Sequence, residues 1–216
     1  MKIVSTDSGY SNAVEAVAIA TLVLQSGGIM IYPTDTVYGL GCDAMNSQAV
    51  EKVIRAKQSP GEARFIVLVE SFERMLSLIK DAPNATLEFI RKIHRAPATF
   101  IFRSSAYAST HIVGCEKTIA VRIPRNDFCN RLCAAIDAPV LSTSANIHNK
   151  PTAVNRETIP IELEQQCDLF VDAGELPPIP STVIDTTSGT LRLLREGAFS
   201  RTALRDAVGD ANIVIE

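Results

Sequence analysis

Three polar loops hold most of the side chains that could do chemistry, and each begins where an apolar run ends. Pro33-Thr-Asp-Thr-Val-Tyr-Gly-Leu-Gly41 carries two threonines, an aspartate, a tyrosine and two glycines. Ser142-Thr-Ser-Ala-Asn146 is almost entirely hydrogen-bonding groups, and Arg195-Glu-Gly197 closes a short apolar stretch. Small hydroxyls and glycines let a backbone approach a ligand closely, and Tyr38 could supply an aromatic wall with a polar tip. The first loop could equally be a tight turn held by an Asx bond from Asp35. Ser142, Thr143, Ser144 and Asn146 could cap a helix or cradle a phosphate.

Three cations raise the question of an anionic partner. Arg122 interrupts the apolar run Ile119-Ala-Val-Arg-Ile-Pro124, where a charge needs a structural carboxylate or an anionic ligand. Arg195 raises the same question at the end of Leu191-Arg-Leu-Leu194. Lys57 ends a helix, where a solvated lysine also interacts favourably with the helix dipole. His94, His111 and His148 show neither triad nor metal spacing. No GxxxxGK[ST] loop and no GxGxxG is present, so the two commonest nucleotide signatures are missing.

The elements that must position these groups alternate along the chain. Apolar spacing predicts a helix from Ser11 to Gln25, capped by Ser11 and stopped by Gly27. A buried strand follows over Gly28–Pro33, then a loop, then a second helix capped by Ser47 and ended by Ser59-Pro60-Gly61. An apolar run covers Phe65–Val69, and helices are expected at Ser71–Lys80, Asn84–Arg95, Asn126–Ile136 and near Ala153–Gln166. Further strands are expected at Thr99–Phe102, Thr118–Ile123, Val140–Ser142, Leu169–Val171, Thr182–Asp185 and Leu191–Leu194. The last strands follow one another without a helix, which predicts an α/β fold on a mixed sheet.

With 216 residues the chain can bury an adequate core without disulfides or a structural metal. Its five cysteines form no CxxC pair, and Cys129 and Cys133, four apart on a helix, read as small buried apolar residues. The N-terminal residues lack the apolar stretch of a signal peptide, and no segment approaches a membrane span, so a cytoplasmic protein is expected. A net charge of −3 gives no global reason to bind nucleic acid but leaves room for a locally basic cleft.

Five segments in one order resemble the YrdC-like family: Tyr32-Pro-Thr-Asp-Thr-Val-Tyr-Gly-Leu40, Ala120-Val-Arg-Ile-Pro124, Ser142-Thr-Ser-Ala-Asn146, Ser181-Thr-Val-Ile-Asp185 and Leu193-Leu-Arg-Glu-Gly197. That family includes threonylcarbamoyl-AMP synthases, YciO proteins and a domain of hydrogenase-maturation carbamoyltransferases. The resemblance implies a twisted open mixed sheet flanked by helices around a concave, locally positive cleft. It implies one such domain over residues 1–216, without the further C-terminal domain of longer members. It also implies an enzyme that joins L-threonine, bicarbonate and ATP, the last carried with Mg2+, into threonylcarbamoyl-AMP. A separate tRNA threonylcarbamoyl transferase would place the product on adenosine 37 of certain tRNAs. The alternative within the family is a YciO-type protein that binds double-stranded RNA or tRNA with little or no catalysis.

On this resemblance Lys57 and Arg195 would hold the triphosphate, and Ser142, Ser144 and Asn146 would bond the adenylate and its phosphates. Arg122 would take the threonine carboxylate, and Thr34, Tyr38 and Ser181 would shape the amino-acid pocket. No metal site made of protein ligands is expected. The synthases typically read Lys-x-Arg-Pro where this chain reads Lys57-Gln58-Ser59-Pro60, so a serine stands in the arginine's place.

Overall fold

Alternation along the strands decides the architecture. In the strand Met30–Tyr32 (β2) all three side chains are buried: Met30 and Tyr32 face one apolar cluster and Ile31 faces another. Leu169–Asp172 (β8) splits in the same way, with Leu169 and Val171 on one side and Phe170 on the other. A strand buried on both faces must lie between two layers of helices, because successive side chains point to opposite sides of a pleated sheet. The computed structural model describes residues 1–6, 10–58, 65–106, 108, 112–114, 116–188 and 190–209, and it has this arrangement.

The other strands are Lys2–Ser5 (β1), Gly39–Asp43 (β3), Ile66–Leu68 (β4), Ala98–Arg103 (β5), Thr118–Arg122 (β6), Val140–Ser144 (β7), Thr182–Asp185 (β9) and Arg192–Arg195 (β10). They form one sheet in the order β1-β8-β2-β3-β7-β4-β6-β5-β9-β10. Pairing is mixed: β1 with β8, β2 with β8, β4 with β6 and β5 with β9 run parallel, and the remaining neighbours run antiparallel. The expected mixed α/β sheet flanked by helices is therefore the observed fold.

The helices Tyr10–Gln25 (α1) and Asp127–Ile136 (α5) cover one face, packing Ala16, Ala20 and Leu24 with Phe128, Cys129, Leu132 and Cys133. Ser47–Lys57 (α2), Phe72–Leu78 (α3), Asn84–Ile93 (α4) and Arg201–Val208 (α7) contribute to the cluster on the other. Cys129 and Cys133 are buried free thiols whose pKa values burial pushes up, Cys133 to about 12, in keeping with an inert apolar role.

Several boundaries differ from the sequence reading. Ser11 lies inside α1 rather than capping it. Asn46, not Ser47, caps α2, its side chain accepting the Ala49 N–H at 3.1 Å. The expected helix near Ala153–Gln166 is instead a single 3-10 turn at Arg156–Thr158 and a short helix Ile161–Glu164 (α6), separated by Pro160. β3 occupies the end of the expected loop, and α7 had no predicted counterpart.

β3 exists because its glycines make room for its neighbours. A Cβ on Gly41 would lie 2.3 Å from the Leu141 carbonyl oxygen on β7 and 2.9 Å from the Tyr32 ring. Gly41→Ala must push two strands apart, and overpacking of this kind costs about 2–3 kcal/mol. Thermal unfolding should show Tm falling by roughly 4–10 °C. A drop under 1 °C would mean that the strands accommodate the methyl group freely.

Candidate active-site cleft

The loop after β2, the C-terminal ends of β6, β7 and β10 and the entry to β9 meet around one cleft of about 180 Å³. Thr34, Thr36, Arg122, Ser142, Ser144, Ser181 and Arg195 line it, with Val37, Gly39, Ile66 and Pro180 supplying apolar wall. That volume lies below the 300–1,000 Å³ usual for drug-sized ligands and suits a molecule the size of one amino acid.

Thr34 builds the first wall. Its Oγ1 accepts the N–H groups of Thr36 (3.1 Å) and Val37 (3.2 Å) and donates to the Val37 carbonyl at 2.7 Å. The turn's local bonds thus come from Thr34, and Asp35 is left to reach across. Its Oδ1 accepts from Arg122 Nη2 at 2.7 Å, while Arg122 Nη1 donates to Thr36 Oγ1 at 3.0 Å. The Arg122 side chain is 5% exposed and that of Asp35 11%. The charge in the apolar strand has found a structural carboxylate, one of the two partners its position demanded.

Arg195 stands on another wall. Its Nε and Nη2 both donate to the Ser181 carbonyl, at 3.2 and 2.8 Å. The Ser181 hydroxyl lies 3.0 Å from the buried Thr99 Oγ1. Gly197 allows this fold-back, since a Cβ there would sit 2.2 Å from the Pro180 carbonyl oxygen. Among the described residues no carboxylate lies within 4.0 Å of Arg195. Burial, and after it the like charge of Arg122, holds the Arg195 pKa below its ordinary value. An anion entering the cleft would relieve both effects.

Residues 22–197 match the model of the Sua5/YciO/YrdC family, described as "Telomere recombination". The chain belongs to this family. It is 29% identical over 198 residues to the threonylcarbamoyl-AMP synthase of Pyrococcus abyssi, covering 91% of this chain and 58% of that protein. The structure of P. abyssi Sua5 complexed with L-threonine superposes with a TM-score of 0.90 at 27% identity, over 100% of this chain and 63% of the other. YciO of E. coli superposes with a TM-score of 0.81 at 28% identity, over 91% of this chain and 94% of its own length. The chain thus spans about three fifths of the Pyrococcus synthase and nearly the whole of YciO.

Within this member of the Sua5/YciO/YrdC family, six of the nine residues singled out from the sequence share the cleft: Thr34, Arg122, Ser142, Ser144, Ser181 and Arg195. Tyr38 does not line it. Its ring packs on Phe170 at 5.4 Å in the core, and its hydroxyl donates to the Gly174 carbonyl and accepts the Ala173 N–H. The aromatic wall expected from Tyr38 is therefore a strut between β3 and the loop after β8. Lys57 and Asn146 lie behind the β7 end. Lys57 Nζ donates to the Ser144 carbonyl (2.8 Å) and to Asn146 Oδ1 (2.5 Å), and Ser144 Oγ donates to that same oxygen at 2.6 Å. Thr36 had no assigned role and Asp35 only that of a turn former, although both stand in the Pro-Thr-Asp-Thr run; Thr152 had no local signal. Ser59 and Arg64 lie outside the described residues.

Lys57 is buried rather than solvated, and that burial lowers its pKa to about 8. A lysine lowered from its unfolded value of 10.5 binds fewer protons in the folded state across that interval. The cost of burying the charge is therefore full below pH 8 and is relieved as pH rises toward 10.5. Wild type should gain stability relative to Lys57→Met between pH 7.5 and 9.5 in parallel denaturant titrations. A difference independent of pH would show that the amine titrates normally.

Proposed function

We propose that the chain is a threonylcarbamoyl-AMP synthase, condensing L-threonine, bicarbonate and ATP with release of pyrophosphate. The observation that carries this reading is the small cleft in which Arg195 faces the Asp35–Arg122 pair with no carboxylate of its own among the described residues. A single amino acid fits its size and its carboxylate suits the cationic lining, and the L-threonine complex of the Pyrococcus relative supports the choice.

In this reading the threonine carboxylate lies on Arg122, receiving its remaining N–H groups, while Arg195 on the other wall of the cleft offers its charge to the triphosphate. Thr36 and Ser181 border the amino-acid end. The triphosphate runs past Ser142, Ser144 and Asn146 toward Lys57. Magnesium would come with ATP and be held mainly by phosphate and water, as this cation commonly is, since among the described residues the cleft lining offers it no carboxylate.

The neutral threonine amine adds to bicarbonate with loss of water to give a carbamate, and the carbamate oxygen attacks the α-phosphorus as the bond to pyrophosphate breaks. No strong protein base is needed, because nucleotidyl transfer depends on positioning and on neutralising charge at phosphate oxygens. The product would go to a tRNA threonylcarbamoyl transferase. The test is pyrophosphate release by the purified chain with each of ATP, L-threonine and bicarbonate omitted in turn. Release that needs all three supports the synthase. No release, together with salt-sensitive binding of duplex RNA or tRNA, would favour a YciO-type role.

A further inference from the structure

Two side chains from strands that do not pair with each other, Tyr32 on β2 and Ser142 on β7, meet over the glycines of β3. The register puts Tyr32 opposite Gly39 and Ser142 opposite both Gly41 and Ile66, and paired residues project from the same face of a pleated sheet. On that face β3 carries no side chain at either glycine, so the Tyr32 ring lies across it from β2 toward β7. A Cβ on Gly39 would lie 3.1 Å from Tyr32 Cζ and 3.2 Å from Ser142 Oγ, and one on Gly41 would lie 3.2 Å from Tyr32 Oη. The bare strand thus lets a phenol reach beneath Ser142, which lines the cleft.

Tyr32 is fully buried, and its hydroxyl closes no hydrogen bond among the described residues. A buried hydroxyl left in that state is costly, so a partner within reach is expected to be used. Burial pushes the Tyr32 pKa well above its ordinary value, and the neighbouring group that opposes the rise by hydrogen bonding is the Ser142 hydroxyl. Ser144, two residues on, is already held, its Oγ donating to Asn146 Oδ1.

We infer that Tyr32 is a positioning residue: with the cleft occupied, its O–H donates to Ser142 Oγ from beneath and leaves the Ser142 proton to be donated to an anionic oxygen of the nucleotide. Hydroxyls linked in a chain polarise one another, so the phenol strengthens the bond that Ser142 makes. This inference rests on the proposed function, in which the triphosphate passes Ser142.

Tyr32→Phe keeps the ring that fills the space over β3 and removes only the hydroxyl. Mg-ATP titrated by calorimetry should bind about 3–10-fold more weakly, the range of one net hydrogen bond. Ser142→Ala should weaken binding by at least as much. In the Ser142→Ala background Tyr32→Phe should have no further effect, because the phenol acts through the serine hydroxyl. A merely structural tyrosine would weaken ATP equally in both backgrounds, and that additivity overturns the inference, as does a Tyr32→Phe variant that binds ATP like wild type. Wild type that binds no ATP overturns the proposed function and the inference with it, whereas wild-type binding with additive or silent variants removes the inference alone.

Discussion

Arg122→Met should abolish saturable threonine binding and destabilise the fold together. The methionine fills much of the volume but leaves the Asp35 carboxylate, 11% exposed, without its partner. Removing one member of a buried ion pair costs about 3–5 kcal/mol, because the remaining charge is stranded out of water. The binding loss belongs to the ligand side, where a charge-assisted contact broken in a desolvated site costs about 2–5 kcal/mol. The double variant Arg122→Met/Asp35→Asn separates the two. Replacing both members of a buried pair with neutral groups is often nearly without cost to stability, so denaturation should recover most of the loss. Threonine binding by calorimetry should stay absent. A double variant that recovers both stability and threonine affinity would remove Arg122 from the ligand site and leave it a purely structural cation.

The sequence made the strands legible where their apolar character was continuous. Thr182–Asp185 matches β9 at both ends, and Thr118–Ile123 exceeds β6 by one residue. It hid β3, because Gly39-Leu-Gly-Cys-Asp43 contains the glycines that mark turns; their use here is to let the Tyr32 ring and the β7 backbone approach, which is a property of neighbours remote in the chain. Arg122 announced itself as a charge that needed a partner, and it has one. The partner's identity was not legible, since Asp35 is 87 residues away and its local context reads equally well as a turn former. Tyr38 misled for the opposite reason: an aromatic with a polar tip suits a pocket wall and a buried strut alike, and only the Gly174 carbonyl and Ala173 N–H distinguish them. Lys57, at a helix end, looked solvated because the β7 segment that buries it lies 87 residues downstream.

Where no neighbouring cation supplies the charge, Ser59→Arg should raise threonylcarbamoyl-AMP formation by about 10–1000-fold, since one cation placed on transition-state charge supplies a few kcal/mol and each ~1.4 kcal/mol is a factor of ten. The synthases that the chain resembles typically carry arginine at this position, two residues after the lysine, and a serine hydroxyl cannot offset phosphate charge. Whether the gain appears depends on what else supplies a cation. Arg55 is an unpromising substitute: its side chain is 65% exposed on α2 and pairs with Glu51 at 3.6 Å, one turn back along the helix. Arg64 is the other basic residue in the neighbouring sequence. Single-turnover product formation in wild type, Ser59→Arg, Arg55→Ala and Arg64→Ala at one magnesium concentration tests the arrangement. If Arg64 already supplies the charge, wild type is active, Arg64→Ala falls sharply and Ser59→Arg adds little. If nothing supplies it, wild type is slow and Ser59→Arg shows the full gain, while Arg55→Ala changes nothing in either case. A wild type that makes no product, with Ser59→Arg equally inert although both fold and bind duplex RNA, would sink the synthase reading and leave the RNA-binding one.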